Sequence, residues 1–576
     1  MLEQTGLRSE ARDRQTPKLD ICAGSRVMWR ALAAGLALAL AFVTPALRAQ
    51  STSSASNVSA VSAAGRSLSA SALAHGALQA LQALYPGPGS ALIWSRKGHA
   101  TPQAEALLRL LRDPGDYGLE ARDYLGGVSP WEDRLPSGPA NDPLWAQFDA
   151  SLSATALHFI ADLHFGRVPP EAAGFRLRDE RAPFDLAAAL QQLATAPDLN
   201  RALRPMEPPF YHYALLKEAL ARYRKVKALP LAQLPPASRA LKVGDVYAGV
   251  PALRRFLSAI GDLPLAGGAP RTDLIFDASL SNAVRRFQLR HGLSVNGKLD
   301  KVTLATLRTP PAQRMRQISL TLERWRWLTP FKTPPIIVNI PQFRLFAFRT
   351  AEDRAADILQ MDVIVGRAYP KTQTPVFEGA MRYVILRPYW DVPSSITSHE
   401  MLAKIRANPA YLAAQHLELA RGPDDSSAAV PVTPATLQAL AAGTLRLRQR
   451  PGEDNALGPA KFIFPNNYNV YLHGTPAGGL FRESVRAFSH GCIRVSDPLA
   501  LATLVLKNAP GDWTRQKIEA TMHGTRSVRV NLKHPIDVLI LYGTALATEA
   551  GPVFFFEDIY GYDQRLEREL GLAPVQ

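Results

Sequence analysis

Cysteine is almost absent from this chain, which has only Cys22 and Cys492 among 576 residues. A framework of several disulfides and a zinc site built from several thiolates are both excluded, since each needs more cysteines. Cys22 precedes an apolar run that has the character of an export signal, so its removal would leave Cys492 as the lone thiol. A lone cysteine in an exported protein is either a small buried side chain or a reactive group. Cys492 is therefore a candidate nucleophile.

Long apolar runs are also lacking. The run over 31–43 follows Arg30 and is shorter than the roughly 20 apolar residues that a membrane-spanning helix needs. Small residues then lead to a cleavage point before Gln50, which is the pattern of a secretory signal. We predict that residues 1–49 are an N-terminal extension and signal peptide. An uncleaved signal, which would anchor the chain in the inner membrane, is the alternative, and Met28 is an alternative start.

A block of consecutive basic residues is missing too, although the formal net charge is +16, from 66 Lys+Arg against 50 Asp+Glu. A basic surface attracts polyanions such as nucleic acid, anionic lipid or acidic wall polymers. No sequence signature of a nucleic-acid-binding module accompanies this charge. We therefore predict no nucleic-acid partner and interpret the excess as a solvated basic surface.

The first half of the chain is predicted to be helical. A Ser/Ala/Gly-rich stretch over 50–69 predicts a flexible linker. Apolar residues at helical spacing over 70–237 predict a helical domain that carries no catalytic constellation, which we interpret as a scaffold. Residues 241–307 form a compact unit of three amphipathic helices, and Asp277 and Asp300 are suited to cap the second and third of them.

The pattern changes from Pro334 onwards. Short β-branched and aromatic runs separated by Pro, Gly and Asn predict many short strands. We predict a β-rich domain over 334–545, interrupted by an insert over 409–458 with one helix at 434–442. Residues 546–576 are left as a C-terminal extension. The predicted fold class is therefore multidomain α+β.

Two neighbouring motifs, YLHGT (471–475) and SHGCIR (489–494), contain the chemistry. A cysteine nucleophile needs a base and donors for the developing oxyanion. A strand that ends at His473 and a loop that returns to Cys492 would bring base and nucleophile within reach. Gly491 leaves room for backbone N–H groups to approach a substrate carbonyl. Arg494 favours the thiolate and could hold a substrate carboxylate.

Other interpretations of the same residues stay open at this stage. Cys492 could be a small buried side chain, His473 a core residue and Arg494 a member of a surface ion pair. A zinc site made of His473, His490 and Cys492 is less well supported, because the chain has no HExxH pair and no clear cluster of further ligands. We predict no metal.

The two motifs resemble the signature of the L,D-transpeptidase (YkuD) family, and residues 241–307 resemble a peptidoglycan-binding domain. The layout is similar to the large Gram-negative subgroup, in which a scaffold domain and a peptidoglycan-binding domain accompany the catalytic domain. Further stretches carry this resemblance: RWRWL (324–328), VNIPQFRLFAF (338–348), YWDVPSSI (389–396), KFIFPNNYNVYLHGTP (461–476), LFRESVRAFSHGCIRV (480–495) and DIYGYD (558–563).

The resemblance implies a β-sandwich-like catalytic domain in the periplasm with no metal or organic cofactor. It implies that Cys492 is the nucleophile and His473 the general acid and base. The supporting and substrate-binding residues that we expect are Ser489, His490 and Gly491, and Arg494, Tyr471 and Trp390, respectively.

The function implied is the formation of 3→3 cross-links between peptidoglycan stem peptides through a thioester. Water as the acceptor would make the protein an L,D-carboxypeptidase, and a lipoprotein lysine would make it an anchoring enzyme. A catalytically idle peptidoglycan-binding protein is the alternative from another class. Expected partners are peptidoglycan and other wall-synthesis enzymes. We expect the insert over 409–458 to act as a lid, with Trp390 and Tyr471 lining the pocket beneath it.

Overall fold

The computed structural model describes most of the chain from residue 58 to residue 573. The predicted signal peptide and the first part of the predicted linker lie outside the described residues. Within the part that is described, no helix combines the length and the apolar character needed to cross a membrane. The described ranges are 58–87, 89–131, 135–139, 142–178, 180–227, 234–264, 273–350, 358–369, 372–422, 425, 427–549 and 551–573.

An N-terminal group of helices shares one apolar core. The prediction of a linker over 50–69 is wrong for its second half, because residues 58–65 form a helix whose Ala60 and Ala64 are buried. These small side chains lie four residues apart, on one face of the helix, where they allow close packing. The helices are α1 (58–65), α2 (Ala70–Ala74), α3 (Ala77–Leu84), α4 (Pro102–Arg112), α5 (Arg122–Val128), α6 (Pro143–Phe165), α7 (Leu186–Thr195) and α8 (Leu199–Leu203).

Helix α6 is the centre of this group. The Asp142 side chain caps its start by accepting the N–H of Leu144, and Gly166, at φ 92°, ends it. Almost every residue after Leu144 is buried, including Asp149, whose carboxylate accepts the Tyr85 hydroxyl. A helix buried on all sides needs apolar residues all round, which this sequence has.

The next group contains the three predicted amphipathic helices. Asp277 accepts the N–H of Leu280 and Asp300 that of Thr303, so both predicted caps are confirmed. Its core also contains side chains from 210–226, which is the last part of the predicted helical domain, and from the β-rich part of the chain. Residues 241–307 therefore pack against both of these regions. The helices are α9 (Tyr211–Val226), α10 (Val250–Ala259), α11 (Ala278–Arg290), α12 (Lys301–Leu307) and α13 (Pro311–Arg326).

A buried ion pair joins this group internally and to the C-terminal part. Arg290, at the end of α11, is 1% exposed and donates to both carboxylate oxygens of Asp262 at 2.9 and 2.6 Å. The same guanidinium donates to the carbonyl of Val553 at 2.8 Å. A buried charge is costly unless it is paired. These contacts therefore hold residues 241–307 against the hairpin that contains Val553.

The remaining part is β-rich, as predicted. It follows a short hairpin of β1 (Ser95–Arg96) and β2 (His99–Ala100) in the N-terminal helical part. The strands of the β-rich part are β3 (Ile336–Asn339), β4 (Arg344–Phe348), β5 (Ile358–Gly366), β6 (Phe377–Leu386), β7 (Trp390–Asp391), β8 (Leu417–Ala420), β9 (Ala429–Val430), β10 (Arg446–Gln449), β11 (Ala460–Ile463), β12 (Leu472–His473), β13 (Ala487–Ser489), β14 (Ile493–Val495), β15 (Val528–Leu541), β16 (Ala545–Ala547) and β17 (Val553–Phe555).

The main sheet has nine strands in the order β13-β5-β14-β12-β11-β6-β15-β3-β4, and β4 also pairs with β5. The pairings therefore close on themselves, and the sheet wraps around one apolar core to which its strands contribute. The predicted β-rich domain is confirmed, and the β-sandwich that the family resemblance implied is here a sheet closed around a single core. Two helices, α18 (Pro498–Val505) and α19 (Arg515–Met522), pack against the same core.

A smaller subdomain interrupts the sheet, with its own four-stranded sheet in the order β7-β10-β8-β9 and a separate apolar core. We call it the lid subdomain, after the role predicted for it. Its core includes Val392 and Ile405, so the predicted start at 409 is too late. The predicted bounds placed residues 389–396 in the main domain on the basis of the family resemblance alone. In the structure β7, which lies within this stretch, pairs with β10 of the smaller sheet. Its helices are α14 (Ser394–Ile396), α15 (Leu402–Ala407), α16 (Ala410–Ala414) and α17 (Pro434–Ala441).

The C-terminal residues are not a detached extension. The hairpin of β16 and β17 packs against α9, and α20 (Tyr562–Glu569) packs against α13. Asp563 receives a 2.5 Å hydrogen bond from Arg324 and one of 2.6 Å from Thr544, and all three side chains are buried. This part of the chain therefore completes the contact between the helical and catalytic parts.

Candidate active site

Strand register places the predicted site residues on one face of the main sheet. β12 and β14 are parallel, with Leu472 opposite Ile493 and His473 opposite Arg494. Leu472 and Ile493 are fully buried in the sheet core. Because side chains alternate between faces along a strand, His473 and Arg494 point away from that core, and the flanking Tyr471 and Cys492 share their side.

The turn before β14 is held by side-chain hydrogen bonds. Ser489 is buried, accepts the N–H of Gly491 at 3.1 Å and donates to the carbonyl of Cys492 at 2.6 Å. Gly491 has φ 120°, a conformation that disfavours any residue with a Cβ. Thr374 donates to the Gly491 carbonyl at 2.8 Å. Glycine and serine are thus required here by the shape of the turn that presents Cys492.

Cys492 is half-buried and is the one cysteine of the described residues. Its thiol lies 3.6 Å from the carbonyl of Asn469 and beside Tyr471, whose backbone and hydroxyl donors act to lower the pKa of the thiol. Burial raises the pKa of the thiol, whereas the Tyr471 donors and the cations Lys461 and Arg494 act to lower it. Burial outweighs these opposing groups, so the pKa of the Cys492 thiol lies above its ordinary value.

His473 is 5% exposed, and its Nδ1 lies 2.6 Å from the carbonyl of Gly474. A carbonyl only accepts, so Nδ1 carries the proton and Nε2 is left as the acceptor nitrogen. Burial, then Arg494 and Lys461, lower the pKa of His473 to about 3, which keeps the ring neutral at physiological pH. A neutral imidazole with a free Nε2 is the form that a general base requires.

The structure brings His473 and Cys492 to the same face but records no hydrogen bond between them among the described residues. His473 is opposite Arg494 on the neighbouring strand, so it is offset from Cys492 by two residues along the strands. Catalytic hydrogen bonds are often long before substrate binds. Arg494 is half-buried, and its Nε has no hydrogen-bond partner within the described part of the chain.

Two further predicted residues lie towards the lid subdomain. The Nε2 of His490 is 3.2 Å from Glu400, which lies in the π-helical turn Thr397–Met401 of the lid subdomain. Trp390 is in β7 and packs on the core of that subdomain. His490 therefore connects the nucleophile turn to the lid subdomain, and Trp390 is part of that subdomain's packing.

Comparisons with known proteins agree with this geometry. Residues 334–526 match the model of the L,D-transpeptidase catalytic domain (YkuD), 79–220 that of a scaffold domain, and 247–307 that of a "Putative peptidoglycan binding domain". Residues 334–526 therefore belong to the L,D-transpeptidase (YkuD) family of catalytic domains. A protein of Haemophilus influenzae named "Putative L,D-transpeptidase" is 31% identical over 263 residues, which is 45% of this chain and 50% of that relative. The chain thus covers about half the length of this curated relative.

Sequence reasoning about this catalytic domain missed Lys461 and Asn469. Lys461 pairs with His473 across β11 and β12, and its neighbour Phe462 is buried in the core. The alternation of KFIF over 461–464 placed Lys461 on the same face as the nucleophile and could have revealed it. Asn469 has φ 55°, and no spacing pattern signals that its carbonyl meets the thiol.

A cavity of about 710 Å³ lies away from this transpeptidase site. It is bounded by α9, α13, the turn after α11, strands β3 and β4 and the β16–β17 hairpin. Neither Cys492 nor His473 lines it. Cavity size alone would therefore have pointed away from the predicted catalytic residues.

Proposed function

We propose that this protein is a peptidoglycan L,D-transpeptidase of the periplasm, which forms 3→3 cross-links between stem peptides through a thioester on Cys492. The observation that carries the proposal is the placement of the Cys492 sulfur beside the Tyr471 hydroxyl, on the sheet face that also presents His473. The domain matches support peptidoglycan as the substrate.

The proposed reaction has two acyl transfers. The Cys492 sulfur attacks the carbonyl of the third residue of a donor stem, the bond to the terminal D-alanine breaks, and D-alanine leaves with the proton that His473 took from the thiol. An amine of an acceptor stem then attacks the thioester, loses a proton to His473, and releases the thiolate. No net oxidation or reduction occurs, and the product is the new amide.

The site offers groups for each charge in this reaction. The Gly491 N–H is engaged by Ser489, so the Cys492 N–H is the donor from this turn that we assign to the oxyanion. Arg494, with its unpartnered Nε, is suited to a carboxylate of the stem. Residues 247–307, which match a peptidoglycan binding domain, are proposed to hold the glycan strand.

Mass spectrometry of muropeptides tests the proposal. Purified protein incubated with tetrapeptide-rich sacculi should produce dimers linked between third residues and release D-alanine, and Cys492→Ala should produce neither. Tripeptides without dimers would identify an L,D-carboxypeptidase instead. No change in the muropeptides, together with retained binding to sacculi, would identify a catalytically idle binding protein.

The lid subdomain is proposed to exclude water from the thioester, which favours the amine acceptor over hydrolysis. Its position supports this role, since Glu400 contacts His490 beside the nucleophile and Asp425 acts electrostatically on Lys461 within the site. A surface insertion without function would have no reason to place charges there.

A deletion tests the lid. Asp391 and Arg448 are paired across β7 and β10, so a short Gly/Ser turn can replace residues 392–447. We expect reaction with a small β-lactam to persist while the muropeptide products shift from dimers to tripeptides. Glu400→Gln, which removes one contact and keeps the subdomain, is the matched control. An unchanged ratio of dimers to tripeptides in the deletion would reject the lid.

A further inference from the structure

Lys461 is a cation of the active site whose role no motif describes. It lies on β11 directly opposite His473, and the adjacent Phe462 points into the sheet core. Its Nζ lies 4.2 Å from the centroid of the Tyr471 ring, which is cation–π distance. The Lys461 side chain therefore extends past its direct partner His473 to Tyr471, the residue that stands opposite Cys492.

Tyr471 connects this cation to the nucleophile. Lys461 lies over its ring, and Tyr471 itself stands opposite Cys492 in the register of β12 and β14, where its hydroxyl acts as a donor towards the sulfur. A positive charge against the ring withdraws electron density from it and makes the phenol a stronger donor. A stronger donor favours the thiolate over the thiol, because only the thiolate gains from a charge-assisted hydrogen bond.

We propose that Lys461 is a positioning residue for the nucleophile: its ammonium, held against Tyr471, makes that hydroxyl a stronger donor towards the Cys492 sulfur and so increases the fraction of Cys492 that is thiolate. The inference rests on the proposed function only for what the thiolate attacks. The thiolate itself can be measured without peptidoglycan.

Other charges around Lys461 oppose the effect of burial on the pKa of its ammonium. Burial lowers the pKa of its ammonium, while Asp391, Cys492 and Asp425 act to raise it. Asp391 also pairs with Arg446 of the lid subdomain, so its charge is shared. The charged and titratable groups that face Lys461 or its immediate neighbours are Asp391 on β7, Asp425 in the lid subdomain, Tyr471 and His473 on or beside β12, Cys492 and Arg494 on or beside β14, and Arg367 after β5.

The sign of the expected pH effect follows from the thiolate. Burial raises the pKa of Cys492 and Lys461 opposes that rise. Removing the Lys461 ammonium raises the pKa of the Cys492 thiol further. The fraction of Cys492 that is thiolate therefore falls at neutral pH and is restored at alkaline pH. A shift of about one pKa unit corresponds to an about tenfold loss of rate well below the pKa.

The test is the rate of alkylation of Cys492 by iodoacetamide, followed by the mass of the peptide that contains it, over a range of pH on both sides of the ordinary thiol pKa of about 8.5. In the full chain, Lys461→Met should be about tenfold slower than wild type at neutral pH and should approach the wild-type rate at alkaline pH. Lys461→Arg, which retains a cation over the ring, should keep most of the wild-type rate. In a Tyr471→Phe background, Lys461→Met should have a much smaller effect.

Three outcomes would overturn the inference. They are an unchanged pH profile in Lys461→Met, a loss of rate that is the same at every pH, and a Lys461→Arg variant as slow as Lys461→Met. If Lys461→Met does not fold, Lys461→Gln is measured on the same terms. A wild-type protein that alkylates as expected but makes no cross-links would reject the proposed function and leave the role of Lys461 intact.

Discussion

Replacing Cys492 with alanine is expected to abolish formation of a covalent adduct with a carbapenem and all cross-linking of sacculi. The alanine variant has no atom that can attack a carbonyl, and the described part of the chain contains no second thiol. Removal of the nucleophile of a serine protease costs on the order of 10⁶-fold in rate. Intact-protein mass spectrometry after incubation with the carbapenem measures the adduct directly.

The control for this prediction is folding. The Cys492 sulfur is half-buried and contacts Tyr471 and the carbonyl of Asn469, so its truncation removes little packing. We expect the free energy of unfolding to change by no more than about 1 kcal/mol, as for most substitutions outside a core. Cys492→Ser keeps the shape and should also form no adduct, because a hydroxyl in this site is not ionised. A carbapenem adduct on the alanine variant would contradict the assignment.

The active-site strands could be predicted because their pattern is local. In YLHGT and SHGCIR the buried Leu472 and Ile493 alternate with the residues that face the site, and the register of β12 and β14 preserves this alternation. The caps at Asp277 and Asp300 were equally predictable, since a cap depends on one side chain and the backbone three residues later.

Features that depend on distant segments could not be predicted in the same way. The lid subdomain begins earlier than predicted because β7 pairs with β10, a partner more than fifty residues away. Residues 58–65 looked like a linker because alanine and serine are too small to mark a core, yet Ala60 and Ala64 are buried against other helices. The buried pair of Arg290 and Asp262 joins α11 to the residues that follow α10, and no local pattern indicates that these two side chains meet.

The same limit applies to the base. Spacing indicated that His473 and Cys492 share a site, but it said nothing of the Gly474 carbonyl that fixes the tautomer or of the two cations beside the ring. Arg494 and Lys461 favour a thiolate and oppose an imidazolium. With the pKa of His473 lowered and that of Cys492 raised, the site holds a neutral imidazole and a thiol before substrate binds.

Replacing His473 with glutamine is expected to slow acylation of Cys492 by the carbapenem about 10²–10⁴-fold, the usual contribution of a general base. Glutamine can keep a donor towards the Gly474 carbonyl but cannot accept a proton as Nε2 does. Stopped-flow or mass-spectrometric acylation rates measure the loss. A variant with the wild-type acylation rate and only a lower melting temperature would instead assign His473 to the core.

The pH dependence of stability tests whether the His473 ring is held neutral, as a general base requires. The folded pKa of His473 is about 3, below its ordinary value of 6.5, so the unfolded chain binds a proton first as the pH falls. The stability contributed by the neutral ring is present above about pH 6.5 and is lost between that pH and about 3. The free energy of unfolding of wild type should therefore fall more steeply over this window than that of His473→Gln. Equal slopes would show that the ring is not held neutral by burial and the neighbouring cations, and the acylation loss would then need another cause.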